Sequence, residues 1–497
     1  MAQLGDTISQ TPKPRRADVD YLTKNFQALL VCCQGDFTQP SFVLFCALMT
    51  GWTLSTRHRY VTELIYASDN IGNGHWSRFH RFFSHNAWSL DALCMTIATL
   101  LIDAFVPDGI IVLALDDTLC RKRGLNLFGA GMHHDPLLSS KKVKLVSWGH
   151  VWVVLALVIS LPSWAPSKIF SLPLGFRLYR NRQGNNKGKN NKGQDSHSRC
   201  PRKRKKATKK ASNAKKKNRP AIAAEPHRTR PELGLELLVL IAKTFPNRLF
   251  VVTADSLYGG KSVLLHLPAN VHFISRVHAN GALYAPAHET TLFGKRGPKR
   301  KKGERLSSLQ EWADDHTAWN RFVFDQYGLH ADVCIKTRQG LYYTAGKDRL
   351  LMFVLVRDNK GKRPLSIFYC TLLDWNAKQI LSTYASRWSI EVAFENGKQM
   401  LGFEDPANRL PKAVQRTAPM AMLLVSLVTL WFHQHGHPHV QFPRRPWYRK
   451  KQEPSFGDML TTLRRLSWTE LWQGALANEG QAEKIFTQIT EFVSRAG

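Results

Sequence analysis

Acidic residues are scarce in this 497-residue chain: 37 Asp and Glu stand against 70 Lys and Arg, a formal net charge of +33 with a sequence pI near 10.0. So one-sided a balance points to a polyanionic partner, nucleic acid first and an anionic membrane surface second. Cysteine is equally thin. The eight residues (Cys32, Cys33, Cys46, Cys94, Cys120, Cys200, Cys334, Cys370) are dispersed and form no C-x-x-C pair, which argues against a disulfide framework or a zinc knuckle and for a reducing compartment. Long apolar runs are missing too: the longest, Val151–Leu161 and Met420–Phe432, fall short of the ~18–20 residues a membrane helix needs. The first twenty residues carry no apolar h-region, so a secretory signal is not expected there. A cytoplasmic, soluble protein with no membrane partner is the resulting expectation.

What is present is a folding chain. A 43% hydrophobic, 10% aromatic composition is too apolar for disorder, and the length is about three times the ~150-residue prior per domain, so two to four domains are expected. A single binding module is excluded. Residues 1–105 read as helical, with apolar positions three and four apart (Phe42, Phe45, Cys46, Met49; Leu90, Leu93, Ile97). Within them Gly74–Phe82 mixes Arg78 and Arg81 with Trp76 and Phe79, a pattern shared by DNA-contacting helices and by ordinary basic helical surfaces.

The period then changes. Ile110–Leu115 is a continuous apolar run ending in Asp116-Asp117-Thr118, which reads as a buried strand delivering acids at its C-terminal end. Lys144–Ile159 and Lys168–Tyr179 read as two further strands of an antiparallel meander opening a mixed sheet. Pro231–Phe245 reads as a Pro-started helix feeding a buried strand, Arg248–Ala254, that also ends in an acid, Asp255. Between these halves, Arg177–Arg219 holds eighteen Lys/Arg and one acid, Asp195. It reads as a disordered basic loop, a phosphate-binding segment or one serving solubility or localisation; without it the chain is still basic.

Residues 263–372 are strand-like (Val271–Arg276, Asp332–Thr337, Gly340–Thr344, Leu350–Arg357, Leu365–Thr371). They are interrupted by Gly294–Gly303, whose Arg296, Lys299 and Arg300 would track a DNA backbone or decorate a solvated turn. From Ala377 the pattern is helical again, apart from a Pro/His/Arg-rich break around His433–Lys451.

The strongest local signal is Tyr384-x₂-Arg387-x₃-Glu391-x₆-Lys398. At about 100° per residue, with Arg387 at zero, Glu391 falls near about 40°, Lys398 near about 20° and Tyr384 near about 60°, one narrow helix face. That face would present a carboxylate flanked by two cations and a phenol to one ligand; the plain alternative is a surface ladder with an i,i+4 pair. Two strands ending in Asp116/Asp117 and Asp255 would bring further carboxylates to meet Glu391 at one edge of a sheet. Three converging acids repel unless cations neutralise them, and oxygen-only ligands suit Mg²⁺ or Mn²⁺. Two such ions would clamp an in-line phosphoryl displacement.

These segments, Leu113–Thr118, Val252–Gly259 and above all Tyr384/Arg387/Glu391/Lys398, resemble the DDE transposases of bacterial insertion sequences, in particular the group named for the Tyr-Arg-Glu-Lys signature. The resemblance spans roughly Ile110 to Pro411. It implies an α/β fold: an RNase H-like mixed-sheet core with a β-rich insertion between the second Asp and the Glu, flanked by helical terminal regions. It also implies cut-and-paste strand transfer with two Mg²⁺ or Mn²⁺ ions. Carried over, the first Asp falls on Asp116 or Asp117, with Asp116 favoured; the second falls on Asp255 and the Glu on Glu391. Tyr384, Arg387 and Lys398 would hold phosphates of the transposon end. The implied partner is double-stranded DNA, as terminal inverted repeats and target, bound by a homodimer near the bacterial nucleoid. The implied division is residues 1–105 for DNA binding, 106–262 for the first half of the core with a basic insertion at 177–230, 263–372 for the β-rich insertion, 373–440 for the second half and 441–497 for a C-terminal helical region.

Other residues draw less weight. His433, His435, His437 and His439 read as an exposed loop before a metal site, and His150 as a hydrogen-bonded structural histidine. Trp312, Trp319 and Tyr342 read as packing residues before base-stacking ones. A noncatalytic DNA-binding relative, or an RNA-binding basic protein, would also explain the charge.

Overall fold

The structure is a computed structural model. It describes residues 22–476 except 69–73, 141, 183–225, 278–280, 288–300, 316, 318, 327–328, 362, 444–445 and 447–449, together with a few positions beyond 476. Its centre is one sheet, in which the described strands number ten: β1 (Ile111–Arg121), β2 (Gly131–His134), β3 (Val146–Ser160), β4 (Ile169–Tyr179), β5 (Phe250–Ala254), β6 (Val271–Arg276), β7 (Asn320–Gln326), β8 (Leu329–Leu341), β9 (Leu350–Asp358) and β10 (Ser366–Cys370). The order is β2-β3-β1-β5-β6-β10-β9-β8-β7, with β4 also against β3.

β1, β3 and β4 form the expected antiparallel meander, while β5 runs parallel to β1 and β6 parallel to β5. That arrangement, β4-β3-β1-β5-β6, is the RNase H-like one. The return from β4 to β5 is made by the helix Arg230–Thr244, started by Pro231 and a capping box between Thr229 and Glu232. It packs on β3 and β4. The apolar run Val151–Ile159 is thereby explained: β3 is central and covered on both faces, so it needs no polar alternation.

Three strand readings need correction. β1 does not stop at Leu115 but pairs with β3 as far as Arg121, so Asp116 and Asp117 lie inside a strand. Burial of those acids is tolerated because each has a cationic partner. Gly340–Thr344 is not a separate strand; it is the end of β8 and a short turn, Tyr343–Gly346. β7 and the helix Leu309–Asp314, capped by Ser308 and Glu311, stand where no element was expected. Within residues 263–372, β6 belongs to the core meander's sheet, and β10, β9, β8 and β7 continue that same sheet outward.

The helices share one core with the sheet. Pro411–Trp431 is buried almost all round, and helices Lys24–Val31, Ser77–Ser84 and Leu90–Phe105 pack on it. Arg416 from this helix donates to the carbonyl of Asn86 at 2.9 Å, and Trp52 Nε1 to the carbonyl of Leu401 at 2.9 Å, tying the N-terminal helices to the C-terminal half. Extended through short turns to His439, this is the one helix among the described residues long and apolar enough to cross a membrane, and 94% of its apolar window is buried inside the protein. It is a core helix. The break expected at His433 therefore starts later. Phe432–Gly436 and His437–His439 are helical turns, and His433 accepts from Trp164 Nε1 at 3.1 Å and packs on Phe105.

Arg177 is likewise not part of a loop: at the end of β4 it donates to Asp91 at 2.7 Å and Glu236 at 3.2 Å. The rest of the basic segment, from 183, lies outside the described residues. Gly149 is required by the sheet itself, since a Cβ there would lie 2.2 Å from the carbonyl oxygen of Cys120 across the β1–β3 pair. Gly149→Ala is expected to force the pair apart and lower stability by about 2–3 kcal/mol, read as a drop in the thermal midpoint.

Candidate active site

In the parallel pair of β1 and β5, Leu115 is level with Ala254, so Asp116 and Asp255 follow side by side. Asp255 Oδ1 accepts from the Leu257 amide at 2.8 Å, and its carbonyl accepts from Ser275 Oγ at 2.8 Å, which fixes the turn that carries it. Alternation along β1 sends Asp116 and Asp117 to opposite faces. Asp117 accepts from Arg230 Nη1 and from the Tyr258 hydroxyl, both at 2.9 Å. Asp116 instead faces helix Ser389–Leu401: it accepts from Arg387, and also from the Asp117 amide at 2.8 Å. Arg387 reaches Glu391 as well, at 3.3 Å, so one guanidinium bridges Asp116 and Glu391.

The single helix expected over Tyr384–Lys398 is two, Ala377–Ser386 and Ser389–Leu401, and this corrects the narrow-face construction. The joint at Arg387-Trp388 keeps helical dihedrals but bonds i to i−3, as from Arg387 N to Tyr384 O at 3.2 Å and Glu391 N to Trp388 O at 3.1 Å. Serines on either side take backbone carbonyls: Ser386 Oγ bonds Thr383 O at 2.7 Å and Ser389 Oγ bonds Ser386 O at 2.8 Å. The four residues end up apart, two of them against β1 and one against β10. Arg387 sits at Asp116, whereas Lys398 donates to the Leu119 carbonyl at 2.7 Å and lies 3.4 Å from Glu404. Tyr384 packs against Phe368, 4.6 Å between ring centroids.

Burial dominates the electrostatics. It pushes the Asp116 carboxyl up to about 7 against the opposing pull of Arg387, with Asp117 and Asp255 adding to the rise. Burial also raises Asp117, opposed by Arg230 and Tyr258, and Glu391, opposed by Arg387. The site is a set of carboxylates short of positive charge.

Among the described residues no three His, Cys, Asp or Glu side chains stand close enough to hold one metal ion. The donor chemistry nevertheless suits a hard divalent cation: every donor is a carboxylate oxygen, and the Arg387 guanidinium stands in as the cation between Asp116 and Glu391.

Arg78 and Arg81 are exposed on helix Ser77–Ser84, beside Trp76, while Phe79, Phe82 and Phe83 anchor its other side. Arg296, Lys299 and Arg300 lie outside the described residues. His150 is buried and bonds the Phe128 carbonyl at 2.9 Å. Trp319 donates to Asp315 O at 3.0 Å beneath Arg357, and Trp312 lies beneath Arg338, so both are packed by cations. Two site residues escaped the sequence reading, Arg230 and Tyr258. Tyr258 lay within the quoted Val252–Gly259 segment without a role, and Arg230 carried no signal beyond its place before Pro231.

A family model described as "DDE superfamily endonuclease" matches residues 48–330, more than half of the chain. The chain belongs to that family. The match takes in Asp116, Asp117 and Asp255 and ends before Glu391. Among curated proteins no match was found. Among solved structures, the chain is similar to the piggyBac transposase in its cryo-EM synaptic complex with hairpin DNA, at 10% identity and a TM-score of 0.41, over 96% of this chain and 82% of that one.

Proposed function

We propose that this DDE family member is a DNA transposase of a bacterial insertion sequence, one that cleaves the ends of its element and joins them to target DNA. The observation that carries the reading is the junction of Asp116 with Glu391 through Arg387, itself 271 residues from Asp116 in sequence, at a carboxylate-rich point of a very basic protein. Asp116, Asp255 and Glu391 would hold two Mg²⁺ or Mn²⁺ ions, which supply activation of the attacking oxygen and stabilisation of the leaving one.

The chain's own residues account for the rest. Asp117, held by Arg230 and Tyr258, fixes β1 beneath the site. Arg387 pairs with both Asp116 and Glu391, and its guanidinium would also suit a DNA phosphate. Lys398, at Leu119, would continue the basic line along β1, Tyr384 lies beside Phe368 of β10, and double-stranded DNA bound by a homodimer would be the partner. The enzyme would work in the cytoplasm at the nucleoid.

The test is plasmid excision in cells, with the DNA that flanks the gene placed around a marker. Repaired junctions detected by amplification and sequencing are the expected result. Folded protein that binds the flanks yet excises nothing would favour a noncatalytic DNA-binding protein, and preference for structured RNA over these duplexes would replace both readings.

A further inference from the structure

The ribbon formed by β2 and the start of β3 is inside out. Met132 lies opposite Trp148 and His134 opposite Val146, so these four share one face, while His133 and Ser147 share the other. It is the polar face that points inward: His133 is buried, whereas Met132 and Val146 are exposed. The loop joining the strands continues the pattern, with Leu137 79% exposed, Leu138 55% and Val143 56%.

This is a built arrangement rather than a slack loop. Asp135, almost wholly buried, accepts from Arg121 at 2.7 and 3.0 Å, from Ser147 Oγ at 2.6 Å, and from the amides of Leu137 and Leu138 at 3.1 and 3.3 Å. Slipping the register by one residue would hide the apolar side chains but would break this network. A fixed ribbon with its apolar side chains turned outward signals an interaction surface.

Charge identifies the occupant. Residues 122–148 contain Lys122, Arg123, Lys141, Lys142 and Lys144, of which Lys122 is held by the carbonyls of Glu404 and Pro406, while their one acid, Asp135, is spent on Arg121. A second copy of the same ribbon would meet like charge with like, whereas DNA would meet complementary charge. The ribbon also stands in line with the site. Arg121, at its base, is five residues beyond Asp116 on the same strand, roughly 17 Å, and Leu137 and Leu138 lie farther out, so they would meet a duplex more than about five base pairs from the site.

We propose that the 131–148 ribbon is a DNA wedge, whose Lys residues grip the backbone while Leu137 and Leu138 enter a groove and unstack a base step to one side of the cleavage point. Apolar side chains inserted in this way partly unstack and kink a duplex. The inference rests on the transposase reading, and the experiment separates the two. Duplexes from the DNA flanking the gene carry 2-aminopurine at successive positions, and binding and fluorescence are recorded together. Wild type is expected to raise the fluorescence at one step by at least about threefold. Leu137→Ser with Leu138→Ser should return it to the free-duplex level with binding weakened less than about fivefold, since the phosphate contacts remain, and Leu137→Phe with Leu138→Phe should keep it.

Bound wild type without unstacking, or unstacking retained by the serine pair, would overturn the wedge alone. So would conversion of a DNA-free dimer to monomer by the serine pair in light scattering, which would assign the face to a second copy. Failure of wild type to bind these duplexes at all would overturn the transposase reading and the wedge with it.

Discussion

Asp116→Asn and Glu391→Gln are each expected to lower DNA end cleavage by roughly 10³-fold or more, while binding of the same duplex changes little. Asp117→Asn should lose less than about tenfold in cleavage, because Asn keeps one oxygen to accept from Arg230 and its amide can donate to the Tyr258 hydroxyl, which turns acceptor. The contrast follows from strand alternation. Neighbouring carboxylates on β1 face opposite ways, and it is Asp116 that shares Arg387 with Glu391. Single-turnover nicking of a labelled duplex in Mg²⁺, run beside a gel-shift titration, measures both quantities. If Asp117→Asn abolished cleavage and Asp116→Asn spared it, the roles of the two residues would have to be exchanged. Equal cleavage by Glu391→Gln and wild type would remove the helix from the chemistry altogether.

Much of this site was legible because its parts are local. A buried parallel strand announces itself as an unbroken apolar run, so the strand before Asp255 could be placed from Val251 and Val252 alone. The meander of β1, β3 and β4 was legible for the same reason. The end of β1 was not, since the hydrophobic run stops at Leu115 while the strand continues to Arg121. Its acids are buried only because Arg387 and Arg230 arrive from distant helices, and no local pattern carries that information.

The paired helices show the same limit from the other side. Residue spacing correctly put Arg387 beside Glu391, one helical turn away. It could not show that Ser386 and Ser389 would tighten the turn between them, or that Lys398 would find the carbonyl of Leu119. The inside-out ribbon was also hidden. Met-His-His-Asp has no strong alternation, and only the register against β3 decides which face is covered.

Measured against Asp116→Asn, the stability of the metal-free protein should fall as pH rises from 5 to 8. Asp116 has its carboxyl raised from 3.8 to about 7 by burial, so between those values the native state still holds a proton that the unfolded chain has released. The native state then binds more protons than the unfolded one, and its stability is fully present below about pH 4 and lost as pH passes through about 7. The loss attached to Asp116 is on the order of 4 kcal/mol. Asp117 and Glu391, both raised by burial, act in the same direction. Carboxylates held below their ordinary range, such as Asp135 against Arg121 and Asp458 against Lys451, act oppositely on acidification, and buried histidines, His133 and His150 lowered to about 4 with His80, His272 and His433 also lowered, add stability as pH rises towards about 6.5, so the Asp116 share is read as a difference from Asp116→Asn. Urea unfolding of wild type and Asp116→Asn in EDTA at pH 5, 6, 7 and 8 measures that difference, which should move in the variant's favour across the window. Parallel profiles for wild type and variant would show that Arg387 offsets the burial of this carboxylate completely, leaving no deficit of positive charge there for a divalent ion to fill.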